Sequence, residues 1–279
     1  MKKFVAVLAT VALAVGLTAG PVGARPHADP PGLKTPGQLT VGLSMPAPGF
    51  QNVTPLPSGT AVLPASSVPK GMEIDMTKAI AKELGLTKIV YVQNNFQNMY
   101  LPGPKKWDFG LAEMTITAER KKNIDFSVSY LNANQGVMIR KGLTPVPKSF
   151  ADLKNIVLCA QIGTTGAAYI KDRVQPNKKA LYPQTTVIMY QQLKSKRCDA
   201  ALYDAPILGA QRFLEPKAYG PIIAQIITNE QYGAAFQKGD PLRPAVNKAI
   251  KKLLANGTIG KLTKKWLTFD ASELPVFKP

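Results

Sequence analysis

Apolar and polar positions follow two different periods in the first half of the chain, and these periods predict strands interleaved with helices. Residues 38–44, QLTVGLS, alternate apolar and polar side chains as a strand does. Residues 71–84 follow with apolar side chains at helical spacing, Asp75 as a fair N-cap and Gly85 as the terminator. The remaining predicted strands of this unit lie at 88–92 and 109–114.

A second set of alternating segments begins near residue 156. Its predicted members are a strand at 156–162, a helix at 166–174, a short strand near Val187, a strand at 200–203 that leads into a helix at 205–213, and basic amphipathic helices at 244–255 and 258–267. Strands that alternate with helices indicate an α/β fold with largely parallel sheets, here organised as two units.

A proline-rich segment interrupts the first unit. Residues 46–69 carry six prolines, too many for a central strand or a helix interior. The pattern predicts a long loop between the first strand and the first helix, where open α/β sheets place their ligand crevice. A tolerated surface insertion and a segment that shapes the cleft both fit this loop.

The N-terminus carries the features of a secretory signal peptide. Two lysines precede an uncharged apolar run at 4–17, and the small residues Val22, Gly23 and Ala24 follow. We expect a signal peptide at 1–24 cut after Ala24, although a retained anchor helix is the alternative. The apolar run is shorter than the roughly 20 residues that span a bilayer. Export to the Gram-negative periplasm is therefore predicted, with a flexible lead-in at 25–37.

Composition restricts the chemistry more than the charge does. The 279 residues include 35 Lys and Arg against 17 Asp and Glu, a net charge of +18 that loss of the signal peptide lowers to +16. Because the lysines are dispersed in pairs, we expect solvated faces and no nucleic-acid partner. The single histidine, His27, falls in the lead-in, and the only cysteines are Cys159 and Cys198. Zinc sites and Ser-His-Asp catalysis are therefore excluded, and no metal or cofactor is expected.

A cation occupies an unfavourable place in the segment 107–131. The predicted strand ends at Met114, the chain turns, and Thr117 is a good N-cap, so Arg120 lies in the first turn of a helix. The helix dipole disfavours a positive charge there. A guanidinium beside hydroxyls and free helix N–H groups makes a carboxylate clamp. A surface arginine that pairs with a neighbouring acid is the alternative.

Two further turns suit the charges of a zwitterion. Gly163, Thr164, Thr165 and Gly166 join a strand to a helix, so their N–H and O–H groups can converge on an anion, or can cap an ordinary helix. Asp204 follows an apolar strand, where its carboxylate can receive an ammonium group or cap the next helix. With Arg120, these groups match an α-amino acid, which carries both charges on one carbon.

With those residues in view, the sequence resembles the periplasmic amino-acid-binding proteins of ABC importers, the extracellular solute-binding family 3. The stretches that carry the resemblance are GMEIDMTKAIAKELG (71–85), MTITAERKKNIDFS (114–127), GTTGAAYIK (163–171), RCDAALYDAP (197–206) and NKAIKKLLANGTIGKLTKKW (247–266). The resemblance implies a periplasmic-binding-protein type II-like fold, in which two crossing strands join two α/β lobes around a ligand cleft. The first lobe would comprise 33–131 plus 228–279 and the second 132–227.

The resemblance also implies roles for individual residues. The ligand α-carboxylate would be bound by Arg120 with Thr115, Thr164 and Thr165, the α-ammonium by Asp204, and the ring of Phe50 would pack on the ligand. The implied function is a soluble, monomeric substrate-binding component of an ABC transporter. It would capture a polar amino acid by cleft closure and deliver it to an inner-membrane permease.

Departures from the family pattern leave the ligand open. Ser44 stands where relatives commonly have an acid and Ala47 where many have an aromatic residue. Glu113 stands where the family usually has Gly, Ser or Asn. Its carboxyl would face the cleft or would point away and pair with a lysine. A periplasmic cyclohexadienyl dehydratase shares the fold, so an enzyme with Glu113 as general acid is the alternative function.

The two cysteines belong to the second implied lobe, and some relatives carry a disulfide at matching positions. In an exported protein a cysteine pair is more often bridged than free. A disulfide between Cys159 and Cys198 is therefore expected.

Overall fold

Two separate β-sheets carry the fold in the computed structural model, which describes residues 29–55 and 61–279. The strands are β1 (Gln38–Leu43), β2 (Ala61–Val62), β3 (Lys88–Gln93), β4 (Phe109–Leu111), β5 (Asp125–Phe126), β6 (Leu131–Ile139), β7 (Leu158–Cys159), β8 (Ala200–Asp204), β9 (Ile222–Tyr232) and β10 (Ala235–Phe236). The first sheet has the order β2-β3-β1-β4-β10-β5 and the second the order β7-β8-β6-β9. We call the parts built on these sheets the first and second lobes.

Helices surround both sheets. They are α1 (Met72–Glu83), α2 (Phe96–Tyr100), α3 (Ala118–Asn123), α4 (Thr165–Tyr169), α5 (Thr186–Lys194), α6 (Ala205–Leu214), α7 (Arg243–Ala255) and α8 (Thr258–Trp266), with 3-10 turns at Ala151–Asn155 and Ala271–Glu273 and a π turn at Ile170–Val174. Among the described residues, no helix is both long enough and apolar enough to cross a membrane. The predicted signal peptide, Ala24 and His27 lie outside the described residues.

The first sheet is parallel at its centre because its strands are joined through helices. Strand β1 pairs in parallel with β3, from Gln38 opposite Lys88 onward, and with β4 on its other side. Its side chains Leu39, Val41 and Leu43 are fully buried. Helices α1, α7 and α8 pack against one another on this lobe. The carboxyl ends of the central strands consequently face the second lobe.

Two long antiparallel strands connect the lobes. Strand β6 follows β5 of the first sheet, and β9 leads back into β10 of the same sheet. The two strands pair from Leu131 opposite Tyr232 to Met138 opposite Ile222, with irregularities near Ala133 and Val137. This arrangement confirms the predicted α/β class of two lobes joined by two crossing strands. The prediction of largely parallel sheets was wrong for the second sheet, where only β7 and β8 pair in parallel, because both crossing strands run antiparallel to their neighbours.

The C-terminal segment adds a third connection, which the sequence did not predict. After α8 of the first lobe the chain returns to the second lobe, where the ring of Phe269 lies against Gly209 of α6. The backbone of Gln225 in β9 then exchanges two hydrogen bonds with this segment, at 2.8 Å to the carbonyl of Pro275 and 2.9 Å from the amide of Phe277. Phe277 is buried in the core of the second lobe.

Two local predictions were wrong. The segment near Val187 is not a strand but the first turn of α5, because the Thr185 side chain caps it at Ile188 and Met189, Tyr190 and Leu193 are buried at helical spacing. Asp75 is not an N-cap, since α1 begins three residues earlier with Gly71 in the cap position. The side chain of Asp75 instead accepts hydrogen bonds from Lys265 and Trp266 of α8. The proline-rich loop contains β2, and its residues 56–60 lie outside the described residues.

Candidate functional site

Arg120 lies in the first turn of α3 and hydrogen-bonds to both lobes. The Thr117 hydroxyl caps this helix, as predicted, and accepts a hydrogen bond from the Arg120 amide at 3.1 Å. Arg120 is only 6% exposed. Its Nη1 donates to the Thr115 carbonyl at 2.8 Å, and its Nη2 donates to the Gly163 carbonyl of the second lobe at 3.1 Å. The alternative of a surface arginine paired with a nearby acid is therefore wrong.

Aromatic rings flank the same guanidinium and help to close the cleft. The rings of Phe96 and Tyr100 in α2 each lie 5.1 Å from the guanidinium carbon of Arg120. The Tyr100 hydroxyl donates to the Gly163 carbonyl at 3.3 Å, and the amide of Gln97 donates to the Ile162 carbonyl at 3.2 Å. Helix α2 of the first lobe therefore contacts the Gly-Thr-Thr turn of the second.

The two threonines of that turn have different partners. The Thr164 hydroxyl caps α4 by accepting from the Ala167 amide at 3.2 Å, which is the ordinary helix-capping role. The Thr165 hydroxyl instead donates to Glu230 at 2.7 Å. Thr164 therefore has the predicted capping role, and Thr165 is bonded to an acid of the protein.

Asp204 ends β8 and is buried beside the crossing strands. One carboxylate oxygen accepts from the Gln135 amide at 2.8 Å, and the other accepts from the Tyr232 hydroxyl. It makes no capping hydrogen bond to α6. Burial and the neighbouring Glu230 raise the pKa of Asp204 to about 7, against the opposing effect of Tyr232, Gln135 and Arg120. The carboxyl therefore titrates near neutral pH.

Glu230 is a central residue that sequence reasoning missed. Its carboxylate accepts from the hydroxyls of Thr115 at 2.6 Å, Thr165 at 2.7 Å and Thr228 at 3.0 Å, and from the Gln135 amide at 2.8 Å. Because Thr115 and Thr165 belong to different lobes, this crossing-strand carboxylate holds the two lobes in one network. A single acid in the polar run TNEQY carries no motif that would have found it.

Glu113 lies at the carboxyl end of β4 in a left-handed conformation, with φ of 46°. It is 9% exposed, its amide donates to Glu73 at 3.0 Å, and its Oε1 atom has no hydrogen-bond partner among the described residues. Burial raises the pKa of Glu113 well above its ordinary value, and the nearby Glu73 and Asp204 carboxyls raise it further. Of the two alternatives for Glu113, the structure has the one that faces the cleft.

Two adjoining cavities occupy the cleft. The smaller, of about 10 Å³, is lined by Phe96, Ala112, Glu113, Thr115, Arg120, Thr164, Thr165, Tyr203, Asp204 and Ile207. The larger, of about 240 Å³, is lined by residues of both lobes that include Ser44, Gln93, Phe96, Glu113, Gln161 and Tyr203. Since a volume of about 10–15 Å³ admits one water molecule, the lobes must separate before the smaller cavity admits a larger group.

Phe50 is not among the residues that line the cleft. The residue is fully buried in the core beneath the cleft, its ring meets Tyr232 edge-on at 6.1 Å, and it lines neither cleft cavity. Phe96 lines both cavities and contacts Arg120. The aromatic wall of the cleft is therefore Phe96, which the sequence did not distinguish from other apolar residues of its segment.

The expected disulfide is present. Cys159 and Cys198 are bonded, with their Cα atoms 5.9 Å apart. The bond joins β7 to the residue two positions before β8, whose end carries Asp204. Across residues 29–55 and 61–279, no group of three or more His, Cys, Asp and Glu side chains is arranged to hold a metal ion.

The fold and the cleft define a class of two-lobed binding proteins in which the site lies between the lobes. A sequence profile of the bacterial extracellular solute-binding proteins, family 3, matches residues 60–269. The chain belongs to this family.

Named relatives support the assignment. The ABC transporter glutamine-binding protein GlnH of Bacillus subtilis (strain 168) is 32% identical over 215 residues, covering 75% of this chain and 77% of GlnH. The arginine-binding extracellular protein ArtP of the same organism is 31% identical over 205 residues, covering 71% and 78%. A solved structure of an ancestral arginine-binding protein bound to glutamine is 32% identical and superposes with a TM-score of 0.72, covering 84% of this chain and all of that one. These relatives are binding proteins, and a dehydratase is not favoured.

Proposed function

We propose that this protein binds an α-amino acid between its lobes, with the ligand carboxylate on Arg120 and the ligand ammonium on Asp204. The observation that carries this proposal is that a buried cation of the first lobe and a buried acid of the second line one cavity. A zwitterion satisfies both charges only when the lobes are closed around it. Ligand binding therefore favours the closed form by differential contact.

The hydroxyl groups around Arg120 complete the proposed carboxylate site. Thr115 and Thr165 approach from opposite lobes, and their hydroxyls now donate to Glu230. A hydroxyl has two acceptor lone pairs and one rotatable hydrogen, so it can turn toward a ligand carboxylate. Thr164 contributes through the backbone of its turn. The lobes follow the boundaries 33–131 plus 228–279 and 132–227, except that the end of the chain, with Phe269 and Phe277, packs on the second lobe.

We further propose that the protein works in the periplasm as the substrate-binding component of an ABC importer. The relatives support this, since GlnH is a glutamine-binding protein of an ABC transporter and ArtP an extracellular arginine-binding protein. In this proposal residues 1–24 are removed on export, the protein is a monomer, and the closed form docks on an inner-membrane permease. No nucleic acid takes part.

Substitution of the two charged residues tests the binding proposal. A thermal-shift screen of the twenty amino acids identifies the ligand, because a bound ligand raises the melting temperature. Arg120→Ala and Asp204→Ala should each weaken its affinity by at least about 30-fold, since loss of one partner of a buried charge pair costs about 2–5 kcal/mol. Isothermal titration calorimetry measures the change.

Exposed residues of the same types provide the controls. Arg197 and Asp172 lie at the surface of the second lobe, so Arg197→Ala and Asp172→Asn should leave the affinity unchanged. Unchanged affinity in both Arg120→Ala and Asp204→Ala would refute the assignment of the two charges.

A further inference from the structure

The larger cleft cavity adjoins the proposed head-group site, and three residues line both. Phe96, Glu113 and Tyr203 are shared by the cavity of about 10 Å³ and the cavity of about 240 Å³, and Glu113 is the acid among them. An amino acid whose charged groups lie between Arg120 and Asp204 would extend its side chain past Glu113. The volume of about 240 Å³ is many times the roughly 10–15 Å³ that one water molecule needs, and it suits a side chain of several heavy atoms.

Most polar groups around the larger cavity already have partners in the protein. The side-chain amide of Gln93 is bonded through both ends to the backbone of Met45, at 3.0 and 2.9 Å. Gln161 accepts from the Tyr203 hydroxyl at 3.1 Å and donates to the Gln184 carbonyl at 3.1 Å. Among the buried side-chain atoms of the residues that line the cavity, only Glu113 Oε1 lacks a partner.

The charge around this oxygen has one sign. Glu73 and Asp204 raise the pKa of Glu113, and its side chain hydrogen-bonds to Glu73, so the proton that Glu113 keeps is shared with Glu73 and is not offered to a ligand. Of the residues that the structure describes, no Lys, Arg or His lines the larger cavity. A further carboxylate brought into this space would meet like charges without a balancing cation, and it would leave Glu113 Oε1 without a donor.

From this geometry we propose that Glu113 selects ligands whose side chain ends in N–H donors, either a carboxamide or a cationic nitrogen group, and rejects side chains that end in a carboxylate. The inference rests on the proposed function, because it takes the head group as bound by Arg120 and Asp204. The Glu113 carboxyl accepts the hydrogen bond. The polar wall of the cavity accommodates the rest of the side chain.

Two nearly isosteric ligand pairs test the inference and distinguish its two forms. Glutamine should bind at least about tenfold more tightly than glutamate, since an unsatisfied buried acceptor costs about 1–3 kcal/mol. Comparing arginine with citrulline then distinguishes the two forms. A cation-selective pocket binds arginine more tightly than citrulline. A carboxamide-selective pocket binds glutamine more tightly than arginine. Calorimetry at one pH and salt concentration gives all four affinities.

Variants assign the selectivity to Glu113. In Glu113→Gln the preference for glutamine over glutamate should shrink to about threefold or less, because the new amide donates to a carboxylate. The preference for arginine over citrulline, where present, should shrink in the same way. Glu113→Asn is a second variant that tolerates the left-handed backbone at this position. Glu119→Gln, an exposed acid that pairs with Lys122, is the control and should keep the wild-type ratios.

The outcomes distinguish a failure of this inference from a failure of the proposed function. If no amino acid binds the wild-type protein, the proposed function itself fails. If amino acids bind but glutamate equals or exceeds glutamine, the proposed class of ligand is wrong. A third outcome is the same ratio of glutamine to glutamate affinity in the wild type, Glu113→Gln and Glu113→Asn. In that case the selectivity arises elsewhere and the role of Glu113 is refuted.

Discussion

The Asp204 carboxyl connects ligand binding to pH. Burial and the adjacent Glu230 raise its pKa to about 7, so the proton is held more tightly in the folded protein than in water. Only the ionised form attracts a ligand ammonium group. Binding of that group stabilises the carboxylate and must release a proton wherever Asp204 was protonated before.

We therefore predict that affinity rises with pH and levels off above about pH 7. Between pH 8 and pH 6 the affinity should fall by about tenfold, since each pH unit below the pKa removes about nine tenths of the carboxylate form. Calorimetry at both pH values measures the ratio, and titrations at pH 6 in two buffers of different ionisation enthalpy count the released proton. The same step should persist in Glu113→Gln, which distinguishes Asp204 from its neighbour; a flat profile would contradict the prediction.

At the scale of single residues, the sequence identified the charged residues of the site better than it predicted their contacts. Arg120 was recognisable because a cation in the first turn of a helix is electrostatically unfavourable, and Asp204 because it ends an apolar strand. Glu230 had no such local signal, since its partners Thr115 and Thr165 are 115 and 65 positions away. Phe50 and Phe96 are both followed by a Gln-Asn pair, and only packing places one in the core and the other at the cleft.

At the scale of elements, the disulfide links β7 to the residues that precede β8. These strands also pair in parallel, with Leu158 opposite Ala200 and Cys159 opposite Ala201. The bridge closes a segment with a sequence separation of 39 residues. Its main contribution is therefore to stability, while the sheet keeps the strand ends in register.

Reduction of the bridge should lower the free energy of unfolding by about 3–4 kcal/mol, according to the loop-entropy relation for a segment of this length. Thermal melts with and without dithiothreitol measure the loss. The double variant Cys159→Ala/Cys198→Ala should have about the melting temperature of the reduced protein, and dithiothreitol should not change it. Two free thiols in the denatured, unreduced protein would contradict the bridge itself.

Predicted elements were reliable where the apolar period was long, even for the helix at 71–84, whose predicted cap Asp75 was wrong. The strand at 38–44, the helix at 71–84 and the Thr117 cap all have counterparts in the structure. The segment near Val187 misled because three apolar or β-branched residues in sequence suit a strand and a first helical turn alike. Its true period emerges only over the whole of α5, where the buried positions are Met189, Tyr190 and Leu193.

At the scale of the whole molecule, the C-terminal segment joins the two lobes. It places Phe277 in the core of the second lobe, at 6% exposure, and hydrogen-bonds along β9. This contact lies far from Arg120 in sequence, and among the described residues of the segment none lines either cleft cavity. We infer that the segment stabilises the second lobe without forming part of the ligand site.

Phe277→Ala should destabilise the protein by about 3 kcal/mol or more, as truncation of a buried phenylalanine does. Chemical denaturation measures the free energy of unfolding. Phe213→Ala is the matched control, because its side chain is 69% exposed and its removal should change stability by less than about 0.5 kcal/mol. Equal effects of the two substitutions would show that Phe277 is not a core residue in solution.

The sequence by itself determined the α/β class, the family resemblance, the cysteine pair and the turns that carry Arg120, Thr165 and Asp204. These features depend on short-range periodicity, capping and spacing, which neighbouring residues decide. Only the tertiary structure decided that Glu230 bridges the lobes, that Glu113 faces a cavity and that the chain crosses between lobes a third time. Such features depend on hydrogen bonds and packing between segments far apart in the chain, and the orientation of a side chain follows from those contacts.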